Sequence, residues 1–467
     1  FAKHPEIGPK NGSLTPDELK ELVAYAEQYH VDIIGNQQSF GHFEDILRHE
    51  RYAHLRETPS LLCPTIEESY ELLDDLYSEQ IPLLKFPLFN VCCDETWGLG
   101  TGPSKSVAER IGVGEVYARH MQRVHGLLKN KYGKRMMMWG DIILQHPKHL
   151  KDIPKDTVML TWGYDARESF ESQIIPFARS GYEFFVCPGV SCWRWLLPDF
   201  GVAVKNIRNF VRDGARHGAA GVLNTTWDDD GENFFNYNWH GVLWGAECAW
   251  NASKTDVNDF NRAFGGVLIG EQGDHLGKAS KAPAEAHRLP GYDGMHNGRF
   301  WGVNQKRLSS APATARSEAK EAARIVQSGI EELHAAQADA KVNGDIIDYL
   351  VFGAERMKVI ATRTLSLLDA MEEYERARKL ATNADEAKKL LADAIAKVRG
   401  IRDAHARLKA RYSELWFREN KPYALDVVRK RFDGIIALYD SLLEKLRGAA
   451  DALSAGRKLP PPSGIWL

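Results

Sequence analysis

Along roughly the first half of the chain, short apolar runs alternate with longer stretches whose apolar positions recur at helical spacing. After the turn-rich residues 1–14, Thr15-Pro16-Asp17-Glu18 supplies an N-cap, a proline at the first helical position and a capping-box glutamate, predicting a helix to about His30. Val31–Ile34 reads as a short strand opening into Gly35-Asn36-Gln37-Gln38-Ser39-Phe40-Gly41-His42. Thr65-Ile66-Glu67-Glu68 reads as the cap of the next helix, which leads into the apolar run Ile81–Phe89, with Pro82 and Pro87 inside it. Further helices are predicted at about 115–131, 169–180 and 203–217. Further strands are predicted at Arg135–Asp141, Thr157–Tyr164, Tyr182–Cys187 and Ala219–Trp227.

Repeated strand–helix alternation predicts a parallel sheet with right-handed crossovers. Each predicted strand ends in Trp, Asp, Glu, Gln, His or Tyr near a glycine. An open doubly wound sheet concentrates its chemistry at one switch point, so this distribution predicts most of a (β/α)8 TIM-type barrel. On this reading the first two strands lie upstream of Phe1. The expected domains are a barrel over 1–255, N-terminally incomplete, a connecting segment over 256–308 and an all-α helical bundle over 309–467.

The bundle follows from a change of pattern at about Ser309, where glycine and aromatics give way to Ala, Leu, Glu, Lys and Arg. Ile346, Leu350, Val351, Ala354, Met357, Ile360, Ala361, Leu365 and Leu368 trace one helical stripe, and similar stripes run through 385–415 and 425–453. Three or four long helices are expected, acting as a packing or assembly module, which leaves homo-oligomerisation open. Leu415–Pro422, with two aromatics beside Arg418, reads as a docking corner against the barrel.

Composition changes this picture little. With 44% hydrophobic and 26% charged residues and a formal net charge of -3, the chain has no basic excess for nucleic acid or acidic lipid, and no apolar run long enough to span a membrane. The six cysteines follow no metal-ligand spacing and sit in apolar context, which leans toward free buried thiols and a reducing, cytoplasmic compartment.

Chemistry enters at Asp94 and Glu95, adjacent carboxylates where the apolar run breaks into Trp97-Gly98-Leu99-Gly100-Thr101-Gly102. Adjacent strand residues point to opposite faces, so the pair shares a site only if the strand is ending. Trp139, Trp162, Trp193 and Trp227 fall at successive strand ends, with His42, Asp141, Tyr164, Asp229 and Glu232 at equivalent depths. Aromatic walls with a few acids suit a sugar ring, which has apolar C–H faces and hydroxyls that demand directed hydrogen bonds. The acids at 228–232 lack the ligand spacing of a calcium loop, so no metal site and no cofactor are expected.

Asn90-Val91-Cys92-Cys93-Asp94-Glu95-Thr96 resembles the signature of family 20 glycoside hydrolases, the β-N-acetylhexosaminidases. Residues 36–42, 138–143, 162–165, 187–193 and 226–231 resemble further segments of a bacterial branch of that family. Cys92 stands where glycine is usual, and Arg194 and Glu232 stand where Asn and His are expected. The resemblance implies an exo-acting, retaining enzyme that removes terminal β-linked GlcNAc or GalNAc. In this substrate-assisted exception to the two-carboxylate scheme, the sugar's own acetamido oxygen attacks and forms an oxazolinium. By the same resemblance Glu95 is the acid and later the base, Asp94 orients the acetamido group, and Tyr164 hydrogen-bonds its oxygen. Trp139, Trp162 and Trp227 wall the methyl pocket, Asp229 meets outer hydroxyls, and Gln38, Asp141, Trp193 and Glu232 complete the sugar contacts. His42 tunes the acid from behind.

Three alternatives remain at this stage: a non-catalytic carbohydrate-binding protein on a barrel scaffold, a conventional retaining glycosidase with Asp141 or Asp229 as nucleophile, and a metal hydrolase using His42, Asp141 and His146.

Overall fold

A computed structural model describes residues 1–292, 294–302, 312–380 and 384–466. The described chain divides into two compact units. The first holds Phe1–Pro188, Asn206–Thr225 and Cys248–Ser253, and the second holds Gly189–Lys205, Thr226–Glu247 and Lys254–Leu467. This division draws 256–308 together with the long helices and interleaves segments that a single boundary near residue 255 would separate. The expected junction at 308/309 lies outside the described residues.

The first unit carries six parallel strands: β1 (Gly35–Asn36), β2 (Leu88–Asn90), β3 (Arg135–Trp139), β4 (Val158–Trp162), β5 (Glu183–Cys187) and β6 (Gly221–Val222). They lie side by side in chain order. Gly35 registers against Phe89, Met136 against Phe89, Met138 against Met159, Leu160 against Phe185, and Val186 against Val222, every pairing parallel. This unreversed order is that of a half-barrel rather than a doubly wound sheet. Among the described residues β1 and β6 do not pair with each other.

Period-two alternation sorts the sheet's side chains. Phe89, Val91, Met136, Met138, Met159, Phe184 and Val186 join the large core that also takes the helices' apolar faces. Cys92, Met137, Trp139, Val158, Leu160 and Cys187 form a smaller cluster, with Trp162 packed against it. The candidate tryptophans of β3 and β4 therefore share one face.

Helix α1 (Pro16–Glu27) precedes β1, and between the strands run α2 (Glu67–Gln80), α3 (Val113–Tyr132), α4 (Glu171–Ser180) and α5 (Phe200–Arg216). The capping box of α1 forms as expected, with Glu18 N donating to Thr15 Oγ1 at 3.2 Å and Thr15 N to Glu18 Oε2 at 2.7 Å.

Several boundaries differ from the expectation. Val31–Ile34 is not a strand: Val31 and Ile34 are 52% and 40% exposed, and pairing begins only at Gly35. The run from Ile81 is split by its prolines, which lack the N–H a ladder needs, into a 3-10 turn at Ile81–Leu83 and the three residues of β2. Thr65 does not cap α2, whose N-cap is Ile66 without a side-chain bond; the Thr65 hydroxyl lies 3.3 Å from Cys63 Sγ instead. Of the expected 219–227 strand only Gly221–Val222 forms a regular strand, although Leu223 N and Thr225 N still donate to Val186 O at 3.0 Å and Pro188 O at 2.9 Å. All six cysteines are buried free thiols.

The second unit is built on four long helices, α6 (Ala315–Asp339), α7 (Asp345–Lys379), α8 (Ala384–Glu419) and α9 (Leu425–Ser454). On α7 the predicted stripe is real: Ile346, Ala354, Met357, Ile360 and Ala361 are buried, with Leu350, Val351 and Leu365 packed at the edge of the same core. The corner at Leu415–Pro422 closes α8 within its own unit: Trp416 Nε1 donates to Lys421 O at 2.7 Å and Arg418 pairs with Asp348 at 2.7 Å. Among the described residues no helix is long and apolar enough to cross a membrane.

Candidate active site

β2 ends at Asn90, and the backbone then turns left-handed at Cys92 (φ 61°), Cys93 (φ 66°) and Glu95 (φ 47°). Together with His42 (φ 54°), these are four of the eight described non-glycine residues with positive φ. Each such residue costs about 1–3 kcal/mol and persists only where its surroundings impose it. The imposing contacts are visible: Asn90 Oδ1 accepts from Cys92 N at 2.9 Å, Cys92 Sγ lies 3.2 Å from Asn36 Oδ1, and Tyr117 Oη donates to Cys93 O at 3.0 Å. Breaking the extended alternation here is what lets two adjacent carboxylates face one partner.

That partner is His42. Its Nε2 stands 3.4 Å from Asp94 Oδ2 and 3.4 Å from Glu95 Oε2. The hydrogen bond to Asp94, and then the charges of Asp94 and Glu95, raise the imidazole to about 9 against the opposing effect of burial. His42 is thus an imidazolium at neutral pH. The loop that carries it is pinned from behind: buried His120 reaches Ser39 O with Nε2 at 3.0 Å and Tyr70 Oη with Nδ1 at 2.9 Å. Gly41 is required in this loop, because a Cβ there would collide with the Asp94 carbonyl oxygen.

At the end of β3, Asp141 Oδ2 accepts the Glu95 N–H at 3.0 Å. Burial, reinforced by the nearby Asp94 charge, pushes the Asp141 carboxyl up to about 6. Asp141 therefore fixes the backbone of Glu95. Among the described residues, Asp94 Oδ1, Asp141 Oδ1 and Gln38 Oε1 are buried acceptors without a donor. Asp94 has only 14% of its side chain exposed, whereas Glu95 has 40%, so the first is an enclosed acceptor and the second reaches solvent.

Of the expected aromatic walls, Trp162 and Tyr164 stack with centroids 5.1 Å apart and planes 23° apart. Trp139 is only 2% exposed and packs among Cys92, Met137 and Leu160.

Trp193, Trp227, Asp229 and Glu232 fall in the second unit. There Trp227 is 37% exposed and its carbonyl receives Cys192 Sγ–H at 3.1 Å. Asp229 is exposed and Trp193 half-buried. Glu232 does not fit a sugar contact. It is fully buried, and its carboxylate accepts from Arg356 at 2.8 Å, Arg431 at 2.7 Å and Trp301 Nε1 at 2.9 Å. With its oxygens taken up by these three donors, it has no reach to an external hydroxyl.

The trio His42, Asp141 and His146 does not converge. The one group of three His, Cys, Asp or Glu side chains within ligand reach among the described residues is Glu115, His149 and Asp152. There Glu115 already pairs with Arg119 at 2.7 Å.

Sequence reasoning missed Glu57. This buried carboxylate accepts from Gly100 N (3.0 Å), Gly102 N (2.9 Å), Ser104 N (3.0 Å) and Ser104 Oγ (2.7 Å), bracing the glycine-rich loop after the acidic pair. The glycines were the signal. Gly98 and Gly100 have φ of +87° and +83°, and a Cβ on Gly102 would collide with the Glu57 carbonyl, so the loop needs a central acceptor.

Residues 2–193 match the family model described as glycosyl hydrolase family 20, catalytic domain. The chain is similar to bovine (Bos taurus) hexosaminidase D, 32% identical over 150 residues covering 30% of this chain and 41% of the relative. It is also similar to human (Homo sapiens) hexosaminidase D, 27% identical over 163 residues covering 32% and 34%. The match thus spans less than half the length of either relative. Among solved structures, the Flavobacterium johnsoniae chitobiase aligns with a TM-score of 0.48 at 15% identity, covering 84% of this chain and 67% of that one. A Bacteroides fragilis β-N-acetylhexosaminidase aligns with a TM-score of 0.45 at 18% identity, covering 56% and 57%.

Proposed function

We propose that the chain is a glycoside hydrolase that removes terminal β-linked N-acetylhexosamine with retention, using the substrate's own acetamido oxygen as nucleophile. The supporting observation is the pairing of Asp94 and Glu95 on one imidazolium, with Asp94 Oδ1 left as a buried acceptor. A conventional retaining enzyme sets two carboxylates about 5 Å apart across the scissile bond. Adjacent carboxylates gathered on the same histidine suit a different division of labour.

In this reading Asp94 Oδ1 accepts the acetamido N–H, which turns the carbonyl oxygen toward the anomeric carbon and stabilises positive charge as the oxazolinium forms. Glu95, more exposed and oriented through its own N–H by Asp141, gives its proton to the leaving oxygen. It then takes one from the water that opens the oxazolinium. His42 holds both side chains in register and offsets the charge of Asp94. Tyr164, fixed against Trp162, donates to the acetamido oxygen, and the indoles of Trp162 and Trp139 close the methyl pocket. Gln38 serves one of the sugar's remaining hydroxyls. Asp141 is a poor nucleophile here, since its Oδ2 is spent on the Glu95 amide. The six strands in chain order are read as part of an eight-stranded barrel whose strand ends carry this site.

The test is release of nitrophenol from β-GlcNAc and β-GalNAc substrates, with and without a thiazoline mimic of the oxazolinium. Turnover blocked by the thiazoline is expected. Turnover indifferent to it would return the conventional two-carboxylate mechanism, and sugar binding without turnover would return the binding-protein reading.

A further inference from the structure

Trp97 is 61% exposed, among the most exposed large apolar side chains of the first unit, and no ring of the described residues packs on its face. It lies on the same tight turn as the proposed acid, with Trp97 N donating to Glu95 O at 2.7 Å. Two residues apart, their Cα atoms are within about 7 Å. The loop that leaves it is not free to fold the indole away. Buried Glu57 holds Gly100, Gly102 and Ser104 by four hydrogen bonds, and Leu99 is itself buried. A Cβ added at Gly98 would lie 2.9 Å from Thr58 Cγ2, so the turn rests directly on Thr58. A rigid mount under an exposed indole is what a stacking surface requires, because the ring then loses little freedom when it is covered.

We propose that Trp97 is the platform on which the sugar ring of the leaving group stacks. This inference rests on the proposed function, because the assignment of Glu95 as acid is what orients it. The oxygen that Glu95 protonates is the first atom of the leaving group, so a ring joined through that oxygen begins where the Glu95 carboxyl ends and extends over the adjoining turn. An indole offers its π-face to the C–H face of a pyranose and discriminates little among its hydroxyls. The platform therefore selects for a ring-shaped, sugar-type leaving group and against a small or acyclic one.

The experiment compares the wild-type chain, Trp97→Ala and Trp97→Phe on two substrates. One is the disaccharide GlcNAc-β-1,4-GlcNAc, and the other is β-N-acetylglucosaminyl fluoride, whose leaving group has no ring. Trp97→Ala is expected to lower kcat/KM on the disaccharide about tenfold, mainly through KM, and to cost far less on the fluoride. Trp97→Phe, which keeps an aromatic face, is expected to recover most of the loss. Equal losses on both substrates would mean a merely structural role and overturn the platform, as would an Ala variant that handles the disaccharide as well as wild type. A wild-type chain inactive on both substrates would overturn the proposed function and the platform with it, whereas the first two outcomes leave the function standing.

Discussion

Asp94 and Glu95 share the imidazolium of His42 and keep a buried acceptor oxygen open, whereas Glu232 is enclosed by Arg356, Arg431 and the indole of Trp301. In the sequence both regions are acidic clusters beside tryptophan and glycine. The difference lies in what balances the charge. A histidine at half-exposed depth can still exchange protons and leaves room for a ligand. Two guanidiniums, one of them stacked 4.6 Å over Phe300, neutralise a carboxylate permanently and bind the 228–233 loop to the helices of its own unit. That loop is tied further by Tyr412 Oη to Glu232 O at 3.0 Å and by Asn297 Nδ2 to Asp230 Oδ2 at 3.1 Å. One cluster keeps an acceptor oxygen open and the other is held fixed.

This contrast is best broken at its two carboxylates. Glu95→Gln should lower turnover of the disaccharide by about 10³-fold, roughly 4 kcal/mol of barrier, with little change in melting temperature. Glu232→Gln should do the reverse, costing about 3–5 kcal/mol in urea unfolding by leaving Arg356 buried without its counter-charge. If Glu232→Gln folded at wild-type stability yet lost turnover, the assignment of Glu232 to fixation would fail. Asp94→Ala should cut kcat by at least about 10²-fold with a modest effect on product binding, because its role grows as positive charge develops.

Smaller effects sharpen the comparison through pH. Asp141 is raised from its ordinary value to about 6, so its contribution to stability is fully present below the unfolded value near 3.8 and is lost as pH rises through 6. Asp141→Asn should flatten that slope in unfolding measurements between pH 4 and 7. His42 is raised from 6.5 to about 9, so its stabilisation is complete below 6.5 and disappears as pH rises through 9. His42→Gln should remove the difference in denaturation midpoint between buffers on either side of that range, and an unchanged difference would place the titrating group elsewhere.

The elements were legible where local physics is strong. The α1 capping box, the helical stripe of α7 and a strand beginning at Arg135 were all readable as patterns. Boundaries were less so. Val31–Ile34 has strand-like composition but meets no neighbour, and strand propensity expresses itself only against a partner. Asp94, Glu95 and His42 were legible as candidates because a motif carried them. Their convergence depends on left-handed residues at Cys92 and Cys93, which no side-chain pattern announces. The misreading of Glu232 has the same origin: its partners stand 69, 124 and 199 positions away in the chain.

By itself, then, the sequence determined the alternation that builds a parallel sheet, the long amphipathic helices and the acidic pair at a strand end. These follow from periodicity and from bonds spanning a few residues. Tertiary structure alone decided which carboxylates stay open to a ligand and which are sealed by arginine, and which glycines are pressed against a carbonyl. It also decided that a buried glutamate at position 57 would brace the loop beyond the acidic pair. Burial and charge compensation are properties of a three-dimensional neighbourhood, and residues far apart in the chain supply it.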